Sequence, residues 1–463
     1  MSTPPQPLAS GPGGAAALRP LLATVLDALH DGALTRGGPL PAGGPGPVAD
    51  RLRHTLGDIL PRHGTGAAPA LRDTVRALAE GAADPADPLC AAHLHCPPLA
   101  VAAAADLAAA VLNPSLDSWD QAPSATALEA LVTAALAAEV YPTAPRPDAL
   151  VTTGGTEANQ LALLLAREHH PTAPLQLICG ANAHHSLHRA TWLLGLPAPH
   201  VLPTPDGTLE PQSLATALAR SAPGTPLLVA ATAGTTDAGL IDPLPEIADL
   251  CHRHGARLHI DAAYGGPLLL SDRLRPLLTG LDHAHTVALD LHKLGWQPVA
   301  AGLLAVRDPH DLAALAHRAD YLNADDDTHA GLPDLLGRSL RTTRRPDILK
   351  VAVTLRALGR TGLAHLVEAV HTQAHDLAAR ITAHPRLDLW APPTISTVLF
   401  RPTGAPDDHI ARVRRALLTD GRAVLGRAHL QGRLWLKATL LNPHTRPSDL
   451  DALLKLVEGH LSP

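Results

Sequence analysis

A lysine that forms a covalent bond to an aldehyde must sit on a short, rigid loop where its amine can reach a held carbonyl. The chain carries four lysines, Lys293, Lys350, Lys437 and Lys455. Lys293 closes the stretch Val287-Ala-Leu-Asp-Leu-His-Lys293, an apolar run leading into a turn, which places it just beyond the end of a strand. Asp261, in Leu258-His-Ile-Asp-Ala-Ala-Tyr-Gly-Gly266, ends another such run. A buried carboxylate is costly unless paired, and a protonated pyridine nitrogen is a suitable partner. Gly154-Gly-Thr-Glu-Ala-Asn159 joins a third run to a helical pattern. Glycines let the backbone approach an anion, and the free N–H groups of a helix N-terminus favour phosphate. No Gly-Lys-Ser/Thr follows, so this is not a nucleotide P-loop. Ala183-His-His-Ser-Leu-His188 offers His184 or His185 to stack on a flat ring, and Thr232 in Ala230-Ala-Thr-Ala-Gly-Thr-Thr236 ends a further run. An amine, a carboxylate, an anion cradle and a stacking imidazole together fit pyridoxal phosphate (PLP), a ring that accepts the electrons left when a bond at Cα breaks.

The elements that must position these residues follow from the pattern between positions 149 and 289. Apolar runs at Ala149–Thr152, Leu175–Cys179, Pro226–Ala231, the stretch RLHID and Thr286–Leu289 alternate with helical periodicity, as in Leu244–His254. Strands alternating with helices imply a mostly parallel sheet covered on both faces, with its ligand beyond the carboxyl ends of the strands. The polar residues above fall in those loops. Residues 1–14 read as a disordered lead. Helical spacing at Ala15–His30 (stopped at Gly32), Val48–Leu60 and Ala68–Gly81 makes residues 1–88 an N-terminal helical segment. Residues 89–345 form the large cofactor-binding domain. Residues 346–463, with helices at Asp347–Leu358, Leu363–His384 and Pro447–His460 and strands at Ile395–Arg401 and Leu434–Leu440, form a small α+β domain.

Composition removes several classes of function. The net charge of −6, with no basic block, argues against nucleic acid as a partner. The N-terminus has no basic region followed by an apolar one, so it does not read as a secretory signal. The most apolar long stretch, Leu99–Leu112, is too short to span a bilayer. Four cysteines fit a reducing cytoplasm better than a disulfide framework. Cys90, His93, His95 and Cys96 match no standard zinc spacing, and Cys251-His-Arg-His254 fits a helix end, so no metal is expected.

Taken together these stretches closely resemble the group II PLP-dependent amino-acid decarboxylases. The likeness runs from about Leu89 to Leu461 through HLHCPPL, NPSLDSWDQAPSATALE, TTGGTEANQLALLLAR, ATAGTTDAGLIDPLPEIADLC, LHIDAAYGGPLLLS, LDLHKLGWQPVAAGLLAVRD and RSLRTTRRPDILK. The DSWDQ and HKLGWQP wording resembles the bacterial branch acting on 2,4-diaminobutyrate, ornithine or lysine, often in siderophore or polyamine biosynthesis. The resemblance implies PLP fold type I and a homodimer with active sites at the subunit interface. It implies Lys293 as the Schiff-base lysine, His184 as the ring-stacking histidine and Asp261 as the pyridine-nitrogen partner. Ala263 is implied beneath the ring, Thr232 at its side, Gly155 and Thr156 at the phosphate, and His292 beside the lysine. Tyr321, in Asp320-Tyr-Leu-Asn323, resembles a mobile-loop tyrosine that returns a proton to Cα. Glu157-Ala158, Gly295-Trp296 and Pro346 depart from the family wording. The alternatives are an aromatic or acidic substrate, an aminotransferase or an oxygen-using aldehyde synthase. Aromatic residues make up only 2% of the chain, leaving few rings to sandwich an aromatic substrate.

Overall fold

The computed structural model describes residues 7–460. Residues 1–6, part of the expected disordered lead, lie outside the described residues, and residues 7–13 run through bends and turns into the first helix. The helices α1 (Gly14–Arg36), α2 (Pro45–Leu56) and α3 (Ala67–Glu80) come first. Gly32 does not stop α1 as the sequence pattern implied. A Cβ there would lie 2.6 Å from the Arg76 carbonyl oxygen and 2.7 Å from Ala79 Cβ, so this glycine allows α1 to cross α3 closely. The helix stops instead at Gly37, which is left-handed (φ 69°).

After β1 (Cys90–Ala91), α4 (Ala100–Leu112) and α5 (Pro123–Val140), the chain enters the large sheet. The strands are β2 (Asp148–Thr152), β3 (Gln176–Gly180), β4 (His200–Leu202), β5 (Leu227–Thr232), β6 (Arg257–Ala262), β7 (Thr286–Asp290) and β8 (Gly302–Val306). Between them run α6 (Gly155–Glu168), α7 (Ser186–Leu193), α8 (Pro211–Arg220) and α9 (Leu244–His254). The spatial order is β2-β8-β7-β6-β5-β3-β4, and only β8 runs against its neighbours. This is the mixed, mostly parallel α/β sheet of PLP fold type I. Every residue of β5, β6, β7 and β8 is buried, as strands covered on both faces must be. Register carries the polar strand ends to one edge. Thr232 lies opposite Asp261, and both Thr152 and Asp290 lie opposite Gly302.

The helix α5 is longer than the stretch the sequence pattern singled out. With 18 residues and a mean hydropathy of 1.2 it is long and apolar enough to cross a membrane. Here it packs against β2 and against the long helix at Ile348–Ala383. Its buried Glu129 accepts from both guanidinium NH2 groups of Arg344, at 2.7 and 2.8 Å.

Beyond the sheet come two short helices, α10 (Asp320–Asn323) and α11 (Asp325–His329), and then α12 (Ile348–Ala383). The last joins the two helices read from sequence across one non-helical residue, Gly359 (φ 62°). The strands β9 (Leu387–Leu389), β10 (Thr397–Pro402), β11 (Val424–Leu430) and β12 (Arg433–Thr439) form a second sheet, with α13 (Asp407–Thr419) and α14 (Pro447–Glu458). Its order is β1-β11-β12-β10-β9, so β1 joins this sheet before the chain enters the large one.

Candidate active site

The residues expected to bind the cofactor, Gly155, Thr156, His184, Thr232, Asp261, Ala263, His292 and Lys293, line one cavity of about 290 Å³ at the carboxyl edge of the large sheet. Tyr321 does not line it: on α10 this side chain is 81% exposed.

The loop after β7 holds Lys293 firmly. Cys96 Sγ donates to the His292 carbonyl (3.2 Å), and the buried Trp296 donates Nε1–H to the Leu441 carbonyl (2.8 Å). Gln297 Nε2 donates to the Gly295 carbonyl (2.9 Å) and to Thr354 Oγ1 (3.0 Å). The Gly295-Trp296 departure thus ties the lysine loop to the segment after β12. Lys293 Nζ lies 2.8 Å from Asp290 Oδ2, and His292 Nε2 lies 3.6 Å from the same oxygen.

Sequence reasoning missed Asp290. It is 1% exposed and is the last residue of β7, much as Asp261 is the last but one of β6. The rule that singled out Asp261, that an acid at a buried strand end needs a partner, applies equally to it. Asp261 itself is well satisfied. Its Oδ2 accepts from Asn159 Nδ2 (2.8 Å) and its Oδ1 from the Ala263 N–H (3.1 Å). Burial, ahead of the opposing pull of Asp261, lowers the pKa of His184. Burial, ahead of the opposing pull of Asp290, lowers that of His292. Both imidazoles are therefore neutral at pH 7.

The cavity fits a ring that carries a phosphate and a titratable nitrogen. The N-terminus of α6 opens onto it through Gly154 (φ 150°) and Gly155. A Cβ at Gly154 would come 2.9 Å from His292 Cε1, and one at Gly155 would come 2.8 Å from Ala263 Cβ. The free N–H groups of the helix are thus pressed against the cavity wall, where an anion can reach them. Two buried oxygens there, Thr232 Oγ1 and Asp290 Oδ1, have no hydrogen-bond partner among the described residues. A second cavity of about 730 Å³ adjoins the first, sharing His184 and Thr236, and extends to Asp206, Asp237 and the β11–β12 turn.

Comparison with known proteins agrees with this geometry. The pyridoxal-dependent decarboxylase conserved domain matches residues 52–403. The L-2,4-diaminobutyrate decarboxylase of Rhizobium meliloti (strain 1021) is 41% identical over 423 residues, 88% of this chain and 85% of its own. The enzyme of that name from Acinetobacter baumannii is 30% identical over 400 residues, 79% of this chain and 78% of its own. Among solved structures, the glutamate decarboxylase domain of diaminobutyrate-pyruvate transaminase and L-2,4-diaminobutyrate decarboxylase from Vibrio parahaemolyticus superposes with a TM-score of 0.86. It is 30% identical and covers 98% of this chain and 97% of that one. The chain therefore belongs to the pyridoxal-dependent decarboxylases, carboxy-lyases that act on amino acids with pyridoxal phosphate as cofactor.

Proposed function

We propose that this chain decarboxylates 2,4-diaminobutyrate, releasing CO2 and the corresponding diamine. The observation that carries the reading is the 41% identity to the Rhizobium meliloti relative along 88% of the chain. Ornithine and lysine, the homologous diamino acids, are the next candidates. The relatives named for acidic substrates are less similar, at 28% identity for the mouse acidic amino acid decarboxylase. An aromatic substrate finds little to stack on: Tyr264 lines the cavity, but its hydroxyl is tied to Ser396 (2.8 Å) and Thr397 (3.0 Å).

Pyridoxal phosphate, when bound, supplies a protonated ring that takes up the electron pair left at Cα as CO2 departs. Lys293 is its covalent anchor. Asp261 holds the proton on the ring nitrogen, and the Asn159 and Ala263 donors keep this carboxylate from turning away. His184 would cover the bound ring, and Ala263, with its small side chain, would leave room for it. Gly155 and Thr156 cradle the phosphate at the start of α6, where the helix dipole favours negative charge. Thr232 offers at the ring side a hydroxyl that has no partner among the described residues, and His292 stands next to the anchor.

Tyr321 returns a proton to Cα, since a phenol is protonated at neutral pH and donates at close range. Its exposure on α10 favours action on the site of a second copy across a homodimer interface. The apolar side chains that α4 and α5 leave exposed, Leu107, Leu112 and Leu131, offer a surface for that copy.

A panel measuring CO2 release tests the substrate. 2,4-Diaminobutyrate should give the highest kcat/KM, followed by ornithine and lysine. Faster turnover of glutamate, aspartate, tyrosine or tryptophan than of every diamino acid would overturn the assignment.

A further inference from the structure

We infer that Asn159 is a positioning residue that ties the Asp261 carboxylate to His184 and holds His184 as the Nε2–H tautomer. The inference rests on the roles proposed above for Asp261 and His184; it extends Asn159 beyond its hold on Asp261 and draws in two residues so far without a role, Ser186 and His259.

All three are fully buried, so each polar atom needs a partner. They form one continuous chain of hydrogen bonds. Thr286 Oγ1 lies 2.9 Å from His259 Nδ1, and His259 Nε2 lies 2.9 Å from Asn159 Oδ1. Asn159 Nδ2 lies 2.8 Å from Asp261 Oδ2 and 2.8 Å from Ser186 Oγ. Ser186 Oγ lies 2.8 Å from His184 Nδ1. Topology brings them together. His259 and Asp261 are two residues apart on β6, so both face the same side of the sheet. Asn159 comes from the start of α6 and Ser186 from the start of α7. His259 and Thr286 are register partners on adjacent strands.

The chemistry of the groups allows one assignment of protons. A carboxylate only accepts, so the Asn159 atom facing Asp261 must be its NH2 group. The amide oxygen then faces His259, which must donate from Nε2. Burial lowers the pKa of His259 to about 4, so at pH 7 the ring carries one proton. That proton is on Nε2, and Nδ1 accepts from the Thr286 hydroxyl. On the other side, the second hydrogen of Asn159 Nδ2 goes to Ser186 Oγ, and the serine hydroxyl donates to His184 Nδ1. The Ser186 backbone N–H, 3.3 Å away, points at the same nitrogen. With two donors aimed at Nδ1, neutral His184 keeps its proton on Nε2. His184 lines both cavities, so this N–H is what it can offer to a ligand there, and a substrate carboxylate is the acceptor of matching chemistry. The same amide that steadies the carboxylate behind the ring nitrogen thus sets which hydrogen bond the imidazole over the ring can make.

The test is ¹⁵N NMR of histidine-labelled holoenzyme, with the His184 signals identified by their loss in His184→Gln, alongside the cofactor dissociation constant. The unchanged protein should show His184 protonated on Nε2. Ser186→Ala removes the shorter of the two donors to Nδ1 and keeps the backbone N–H, so it should move the His184 nitrogens part of the way toward an average of both tautomers and leave cofactor affinity near its original value. Asn159→Ala should do the same to His184 and weaken cofactor binding about tenfold, the cost of one hydrogen bond to a charged group. His259→Leu, which leaves the Asn159 amide oxygen buried without its donor, should move both readouts in the direction of Asn159→Ala, whereas His259→Gln, which keeps an N–H donor, should stay close to the unchanged protein. Protonation of His184 on Nδ1, unchanged His184 signals in Ser186→Ala, or equal damage from the Leu and Gln variants would overturn the inference. The NMR readout is independent of the proposed roles: if Asp261→Asn leaves the cofactor's properties unaltered, the role of Asp261 fails while the relay stands or falls on the nitrogen signals.

Discussion

Asp261 and Asp290 lie at the carboxyl ends of neighbouring strands, the one last but one and the other last, and both are buried beside the same cavity. Their surroundings differ. Both oxygens of Asp261 accept from neutral donors, the Asn159 amide and the Ala263 N–H, leaving its charge for a ligand to meet. Asp290 is met by a cation, Lys293 Nζ at 2.8 Å, while its Oδ1 has no hydrogen-bond partner among the described residues. Neutral donors hold a carboxylate in place and preserve its demand for a proton or a positive charge. A cationic partner meets that demand, and the pair is broken when the amine is used for something else. One end of the cavity is therefore built before any ligand arrives, and the other is built to change partner when Lys293 forms its covalent bond.

Substitutions at the two ends sharpen this contrast. Lys293→Ala should have the largest effect. Borohydride treatment of the unchanged protein should fix the cofactor to the peptide holding Lys293, and the Ala variant should show no such adduct and no measurable turnover. Labelling at Lys350 would move the anchor. Asp261→Asn comes next. It replaces a charged acceptor by a neutral one at the built end, a loss of about 3 kcal/mol in the upper range for such bonds, or about a hundredfold in kcat, with cofactor still bound. Near-normal decarboxylation by this variant would remove the distinction between the two carboxylates. Asp290→Asn should cost less in turnover, about tenfold, and should act mainly on the cofactor-free protein, where Lys293 loses its counter-charge. Thermal unfolding with and without cofactor separates the two: the loss in stability should shrink once the cofactor is loaded.

Tyr321 belongs to neither end, and its variant probes the proposed second copy. Tyr321→Phe should bind cofactor and substrate but form amine slowly, with part of the product diverted to aldehyde when oxygen is present. Product analysis in air and under nitrogen measures this. Mixing it with a Lys293→Ala chain extends the test: a heterodimer joins an intact Lys293 site to an intact Tyr321 and should regain activity. Unchanged amine output from the Phe variant would assign Tyr321 to packing of its loop.

Much of the site could be read from sequence because the chemistry requires strand ends, and apolar runs mark strands well. Lys293, Asp261, Gly155, Thr156 and Thr232 all follow such runs. Asp290 escaped because it lies inside the stretch that identified Lys293 and looked like the close of its strand. Asn159, Ser186 and His259 escaped because their partners come from other elements, and pairings at separations such as the 102 residues between Asn159 and Asp261 leave no local pattern. β8 escaped because the sequence signal for these strands is their alternation with helical patterns, and no helical pattern separates it from the lysine loop. It follows the lysine loop without a crossover helix and so returns antiparallel. The glycines mislead in a physical way. Gly32 and Gly359 both interrupt helical spacing, but the first serves a close helix crossing and the second a break in α12. Only the packed structure separates these uses.

The smallest effect predicted at neutral pH is one that appears on acidification, and it bears on the built end alone. His259 is held neutral by burial, its pKa lowered from 6.5 to about 4, with Asp261 opposing the shift. In the unfolded chain the same imidazole takes a proton near its ordinary pKa. Between pH 6.5 and about 4 the unfolded state therefore binds more protons, and stability falls as the pH falls. Its full value is present above pH 6.5, and the loss from this residue levels off below about 4. The whole shift corresponds to about 3 kcal/mol. His285, also lowered to about 4 chiefly by burial, accepts from the Leu258 N–H (3.0 Å) and adds a loss of the same sign. Urea unfolding of the cofactor-free protein across this range should show the decline. His259→Gln retains the donor to Asn159 but no longer titrates, so its stability should fall less steeply over the same window while its stability at pH 7.5 stays close to that of the unchanged protein. An identical slope in the two proteins would mean that His259 accepts its proton in the folded state, and the donor assignment that runs from it through Asn159 to Asp261 would fail with it.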